Sequence, residues 1–215
     1  APDHPGSHTA RCPGPVLSKA KNRSAQRALL ADAARLIVEG GHDREDALRR
    51  AARQHGIKLQ QAIPPLEALH TAIHDYRELF KPEQLVELQG HRRLALQAMA
   101  EFAEFQPRLF GALLHGDGAL DLVQLMVFAD SPEQLMHHLS DRHIPWQESE
   151  LVLHYSGGRR IARPALRFLA GQATVELVIL DPGCWSDPPR DALTGRRLEM
   201  QGVEELNALI ARTQA

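Results

Sequence analysis

The sequence predicts an α+β protein, with a helical N-terminal region followed by a mixed, mostly antiparallel sheet with flanking helices. Three observations predict it. Apolar residues recur at helical spacing through residues 24–105. After Pro107 the period changes to short apolar runs of strand length. Two glycine-bearing turns, Gly157-Gly158 and Gly171-Gln172, then separate three such runs as hairpins do. The expected boundaries are a disordered tail over 1–23, a helical region over 24–106 and an α/β domain over 107–215.

The tail is rich in Pro, Gly and Ser and poor in apolar residues, which predicts disorder over 1–22. Ser24 is positioned to cap a first helix carrying Leu29, Leu30, Ala33, Ala34, Ile37 and Val38, and Gly40-Gly41 stop it. Asp43 caps a short second helix, with Asp46 standing where a capping box carries Glu. Pro64-Pro65 open a third helix whose expected buried stripe is Leu66, Leu69, Ile73, Tyr76 and Leu79. Pro82 starts a fourth, running to about Phe105. Residues 108–115 and 122–129 then read as buried strands. Ser131-Pro132-Glu133-Gln134 signals a helix start. Strands over 150–155, 161–169 and 173–180 form an antiparallel meander, 181–197 is a loop, and Gly202 precedes a last helix.

Net charge is −2, but it is unevenly spread. Residues 1–60 hold 11 basic and 6 acidic side chains, and the remainder holds 14 and 21. A basic front can attract nucleic acid or simply be a solvated helix surface. The first two helices could form a helix-turn-helix with Arg49, Arg50 and Arg53 along the second, although that face offers little to read bases. Nothing resembles a membrane span or an apolar signal core. Cys12 and Cys184 are too far apart in sequence to form a metal or redox spacing. Together these predict a cytoplasmic protein with no membrane partner. No HExxH, GxSxG, GxGxxG or P-loop pattern is present. His137, His138 and His143 lack the spacing of a zinc site.

The most informative segment runs from Phe110-Gly111-Ala112 to Asp121-Leu122-Val123-Gln124 and on to Phe128-Ala129-Asp130-Ser131. It resembles the polymerase-beta-like nucleotidyltransferase superfamily, and more closely a group of small bacterial nucleotidyltransferase-like proteins with a helical front. That family carries an apolar residue, Gly and a small residue at a strand–helix junction, then an acidic–apolar–acidic triplet on the next strand. The resemblance implies transfer of a nucleotide from an NTP to an acceptor, with Mg²⁺ held by carboxylates. It implies Gly111 and Ala112 beside the phosphates, with Gly116 and Asp117 at the rim, and Asp121 as first carboxylate. Glu176 is then the third carboxylate, acting with Asp121 in catalysis and metal binding. Val123 stands at the second carboxylate position, so the implied site is degenerate. Gln124, one residue further on, is out of phase unless a bulge turns it inward.

Each of these residues also has a structural reading. Gly111 can relieve crowding in a strand, Asp121 can be a turn residue, Glu176 can lie on the solvated face of an edge strand, and Asp130 can belong to a helix cap. Gly116-Asp117-Gly118 can be a hairpin turn. Three functional classes follow: a nucleotidyltransferase, active or degenerate; a non-catalytic module binding nucleotide, RNA or protein; and a DNA-binding regulator using the N-terminal helices.

Overall fold

A computed structural model describes residues 16–58 and 63–213. The expected disorder of the tail lies outside the described residues as far as residue 15. Residues 16–22 correct it, because they already belong to α1 (Val16–Gly40), and Ser24 is an interior residue of that helix rather than its cap. Gly41, at φ +62°, ends α1. Asp43 caps α2 (Arg44–Gln54) as expected, its carboxylate accepting from the Asp46 amide at 2.9 Å. α3 (Leu66–Phe80) and α4 (Pro82–Glu101) follow, and a turn of 3₁₀ helix over Ala103–Phe105 finishes the helical stretch. Among the described residues no helix is long and apolar enough to cross a membrane.

β1 (Arg108–Phe110) is shorter than the strand expected over 108–115. Gly111 adopts φ 78°, ψ −153°, which breaks the strand, and a single-turn helix α5 (Ala112–His115) takes the rest. Then come β2 (Leu122–Phe128), α6 (Pro132–Asp141), β3 (Gln147–His154), β4 (Arg160–Ala170), β5 (Ala173–Leu180) and α7 (Val203–Arg212). At α6 the Gln134 side chain accepts from the Asp130 amide, so Asp130 sits at the helix entry. The five strands form one mixed, open sheet in the order β1-β2-β5-β4-β3. β3, β4 and β5 are the expected meander. β2 and β5, however, pair in parallel, from Leu122 opposite Thr174 to Phe128 opposite Leu180.

Three apolar clusters hold this arrangement. α1, α2 and α3 share one, built on Leu29, Ile37, Leu48, Leu69 and Ile73. Leu79, expected in that stripe, is 74% exposed beside Phe80 at 61%. The second cluster covers one sheet face: Val123, Leu125, Val175 and Leu177 meet Met99 and Phe102 of α4 and its 3₁₀ end, Leu135 and Leu139 of α6, and Leu206 of α7. By packing, then, α4 goes with the sheet rather than with the three helices before it. The third cluster lies on the opposite face. There Phe110, Met126, Tyr155 and Val178 are covered by Cys184, Leu198 and Met200 from the long segment after β5. At the Leu122 and Gln124 end of this face, residues 191–199 of that segment form one wall of a groove.

Candidate binding groove

The groove has a volume of about 960 Å³. Its walls are the N-terminal ends of α2 and α3, residues 111–119, the start of β2, and the loop over 191–199. Of the residues expected at a site, Gly111, Ala112 and Asp117 line it, while Gly116, Asp121 and Glu176 do not.

Gly111 is required by geometry. A Cβ built there would stand 2.4 Å from Oε1 of Gln124, and its backbone angles suit glycine alone. Gln124 is the groove-facing residue of β2. The β2–β5 register runs unbroken from Leu122 to Phe128, so no bulge is involved. The phase expected from the sequence is therefore corrected: the face turned to the groove carries Leu122 and Gln124, and Val123 points into the helix-covered core.

This phase separates the two expected metal ligands. Glu176 lies directly opposite Gln124. Asp121 lies three residues before Gln124, roughly 10 Å along the strand. Strand alternation puts it on the face of Val123, not on that of Glu176. Asp121 is exposed, and its carbonyl accepts from the Thr174 amide at 2.8 Å. Glu176 is fully buried on a central strand, which excludes the solvated-edge reading. Arg167, opposite it on β4, donates from Nε to Glu176 Oε1 at 2.7 Å with Nη2 at the same ion-pair distance, and Gln124 Nε2 donates to Oε2 at 2.8 Å. Both carboxylate oxygens are thus engaged by protein donors. A buried carboxylate needs such partners, because its charge is otherwise uncompensated in a poorly solvating interior.

Among the described residues Asp117 is the other buried acid, 6% exposed. Its Oδ2 accepts from Arg44 of α2 at 2.9 Å and lies 3.3 Å from His70 Nε2 of α3. Arg44 also pairs with Asp191, whose other oxygen accepts from the Leu193 and Thr194 amides and the Thr194 hydroxyl. The His70 ring stacks on that of His115, with centroids 3.9 Å apart, and His115 Nε2 meets Glu199 at 2.9 Å. One polar network thus joins α2, α3, α5, the turn after it and the 191–199 loop around the groove. Burial pushes the Asp117 carboxyl up, but the His70 hydrogen bond and the Arg44 charge outweigh it and hold the group below its usual range. A lowered folded value adds stability above the unfolded carboxylate range, and this is lost as pH falls through the folded value. Acid unfolding of Asp117→Asn is therefore expected to show a shallower loss of stability below about pH 4 than wild type, read from denaturant midpoints across pH.

Two buried arginines escaped the sequence reading. Arg92 donates to the carbonyls of Leu113 and Leu114 at 2.8 and 2.7 Å, and Arg77 donates to that of Gly116. They satisfy the carbonyl end of α5 and so fix the turn carrying Asp117. Burial, with the Arg77 charge adding to it, lowers Arg92 to about 10. The signal was available: each arginine falls four residues after a buried apolar residue of its own helix, Ile73 or Leu88.

Elsewhere, His138 is packed between Phe102 and Phe105 and faces Glu101 and Glu104, which is a structural role. Among the described residues, His74, Asp75 and Glu78 are the one group of three whose ligand atoms lie within 4.8 Å of each other; all three are exposed. On α2, Arg49 and Arg50 are engaged by Glu45 and Asp46 of the same helix. Compared with protein-family models, with curated proteins and with solved structures, the chain matches none.

Proposed function

We propose that the protein is a nucleotidyltransferase-like module that binds a nucleotide in this groove without metal-dependent transfer. The observation that carries the reading is the state of Glu176, whose two oxygens are engaged by Arg167 and Gln124. Two-metal phosphoryl chemistry needs carboxylates converging on the phosphates. Here the resemblance supplies Asp121 and Glu176, which strand alternation directs to different faces. What remains of the implied site is its binding half: Gly111 and Ala112 at a strand–helix junction, opening on a groove large enough for a nucleotide.

The test is calorimetric titration of the full chain with nucleotides, with and without Mg²⁺. Binding is expected in both conditions, unchanged in Asp121→Ala. It should be lost in Ala119→Trp, which places a large ring from an exposed position into the groove. Magnesium-dependent release of pyrophosphate from an NTP, abolished by Asp121→Ala, would instead establish the transferase reading.

A further inference from the structure

The charge lining the groove limits what can enter it. Six carboxylates face it: Asp43, Glu45, Glu67, Asp117, Asp191 and Glu199. Three guanidiniums, Arg44, Arg196 and Arg197, and two imidazoles stand against them. The guanidiniums are not equally available. Arg44 is held by Asp117 and Asp191, and Arg197 lies over the Trp185 ring at 5.6 Å. Arg196 is exposed, and among the described residues its side chain has neither a hydrogen bond nor an ion pair. Between the charges lies an apolar wall of Ile63, Pro64, Leu66, Leu114, Leu193 and Leu198.

We infer that the ligand is a nucleoside or nucleoside monophosphate rather than a triphosphate. This rests on the nucleotide-binding reading above and narrows it. A wall of aliphatic side chains suits a base and sugar, whose faces are largely apolar. One phosphate, carrying about −1.5 to −2 at neutral pH, can be matched by Arg196 and Arg197, the two lining guanidiniums that no carboxylate holds. Each further phosphate adds negative charge facing six carboxylates against three guanidiniums, one of which, Arg44, is already held by Asp117 and Asp191. Such like-charge contacts are unfavourable over distances up to the screening length, about 8 Å at physiological salt.

The experiment titrates the full chain with the four ribonucleosides, their 5′-monophosphates and their 5′-triphosphates, with and without Mg²⁺. For the preferred base, the monophosphate is expected to bind best and the triphosphate roughly tenfold weaker, with the gap narrowing as salt is raised. The double variant Arg196→Ala with Arg197→Ala should bring the monophosphate down towards the affinity of the nucleoside, roughly a tenfold loss. Glu67→Lys, at an exposed position, should raise triphosphate affinity and leave the nucleoside as it was. Tightest binding of a triphosphate, free or with Mg²⁺, would overturn the inference while leaving the nucleotide reading in place. So would an effect of the double arginine variant that is equal for all three ligands. If no nucleoside or nucleotide binds at all, the nucleotide reading itself fails, and the inference with it.

Discussion

Gly111→Ala is expected to unfold with about 3 kcal/mol less stability than the wild type. Two separate costs make up this loss. The first is backbone: φ 78° with ψ −153° is a region that only glycine occupies without strain. The second is contact: the new Cβ would stand 2.4 Å from Gln124 Oε1 and 3.4 Å from its Cδ. Gln124 cannot simply rotate away, because its amide donates to the buried Glu176. Measured against Gln124→Ala alone, which itself loses the donor to Glu176, adding Gly111→Ala should therefore cost only about half as much, the backbone part remaining and the contact part gone. Denaturant unfolding of these variants measures both parts. A single variant within about 0.5 kcal/mol of wild type would show that this strand end relaxes freely, and the rigid junction assumed for the binding groove would be lost with it.

The parts of the fold that were legible in the sequence are those encoded locally. Asp43 marks a helix start through its capping carboxylate and Pro82 through its fixed backbone angle, and both do so in the structure. Gly171-Gln172 closes the β4–β5 hairpin, with Ala170 opposite Ala173, because a two-residue turn fixes register directly. Pairing between distant segments was not legible. Nothing near 122–128 specifies 173–180 as its neighbour or parallel as its direction, since both strands are near-continuous apolar runs that fit either arrangement. That ambiguity also hid the phase of β2. A run buried on both faces does not say which residues face a groove, so Asp121, a visible acid, stood out more than Gln124. The groove itself draws on residues from Asp43 to Glu199, and its central contacts, such as Arg44 with Asp117 and Asp191, span separations no sequence window covers. Gly111 and Ala112 were singled out through the resemblance alone, since an apolar run with one glycine reads by itself as a single strand over 108–115, whereas Gly111 ends the strand and opens α5. Arg77 and Arg92 were passed over because a charge on an apolar helix stripe reads as a surface residue unless its partner is known.

The ion pair on β4 and β5 gives an unequal outcome for its two halves. Arg167→Met is expected to cost about 3 kcal/mol, because it leaves Glu176 fully buried with only the neutral amide of Gln124 for a partner. Glu176→Leu should cost only about 1 kcal/mol, since Arg167 is 46% exposed and can turn its guanidinium to water. The same exposure screens the attraction itself, so the large cost comes from stranding the buried carboxylate rather than from losing the pair's energy. It follows that the double variant should lie closer to wild type than Arg167→Met does, giving a coupling of about 2 kcal/mol in a double-mutant cycle. If Arg167→Met costs no more than about 0.5 kcal/mol, the pair is an ordinary surface ion pair, and Glu176 finds water or another donor when the arginine leaves. A carboxylate that readily exchanges its partner could also receive a metal ion, so that result would reopen the transferase reading. A strong dependence on Arg167 would mean that the folded protein holds Glu176 through this guanidinium, with no other donor ready to replace it.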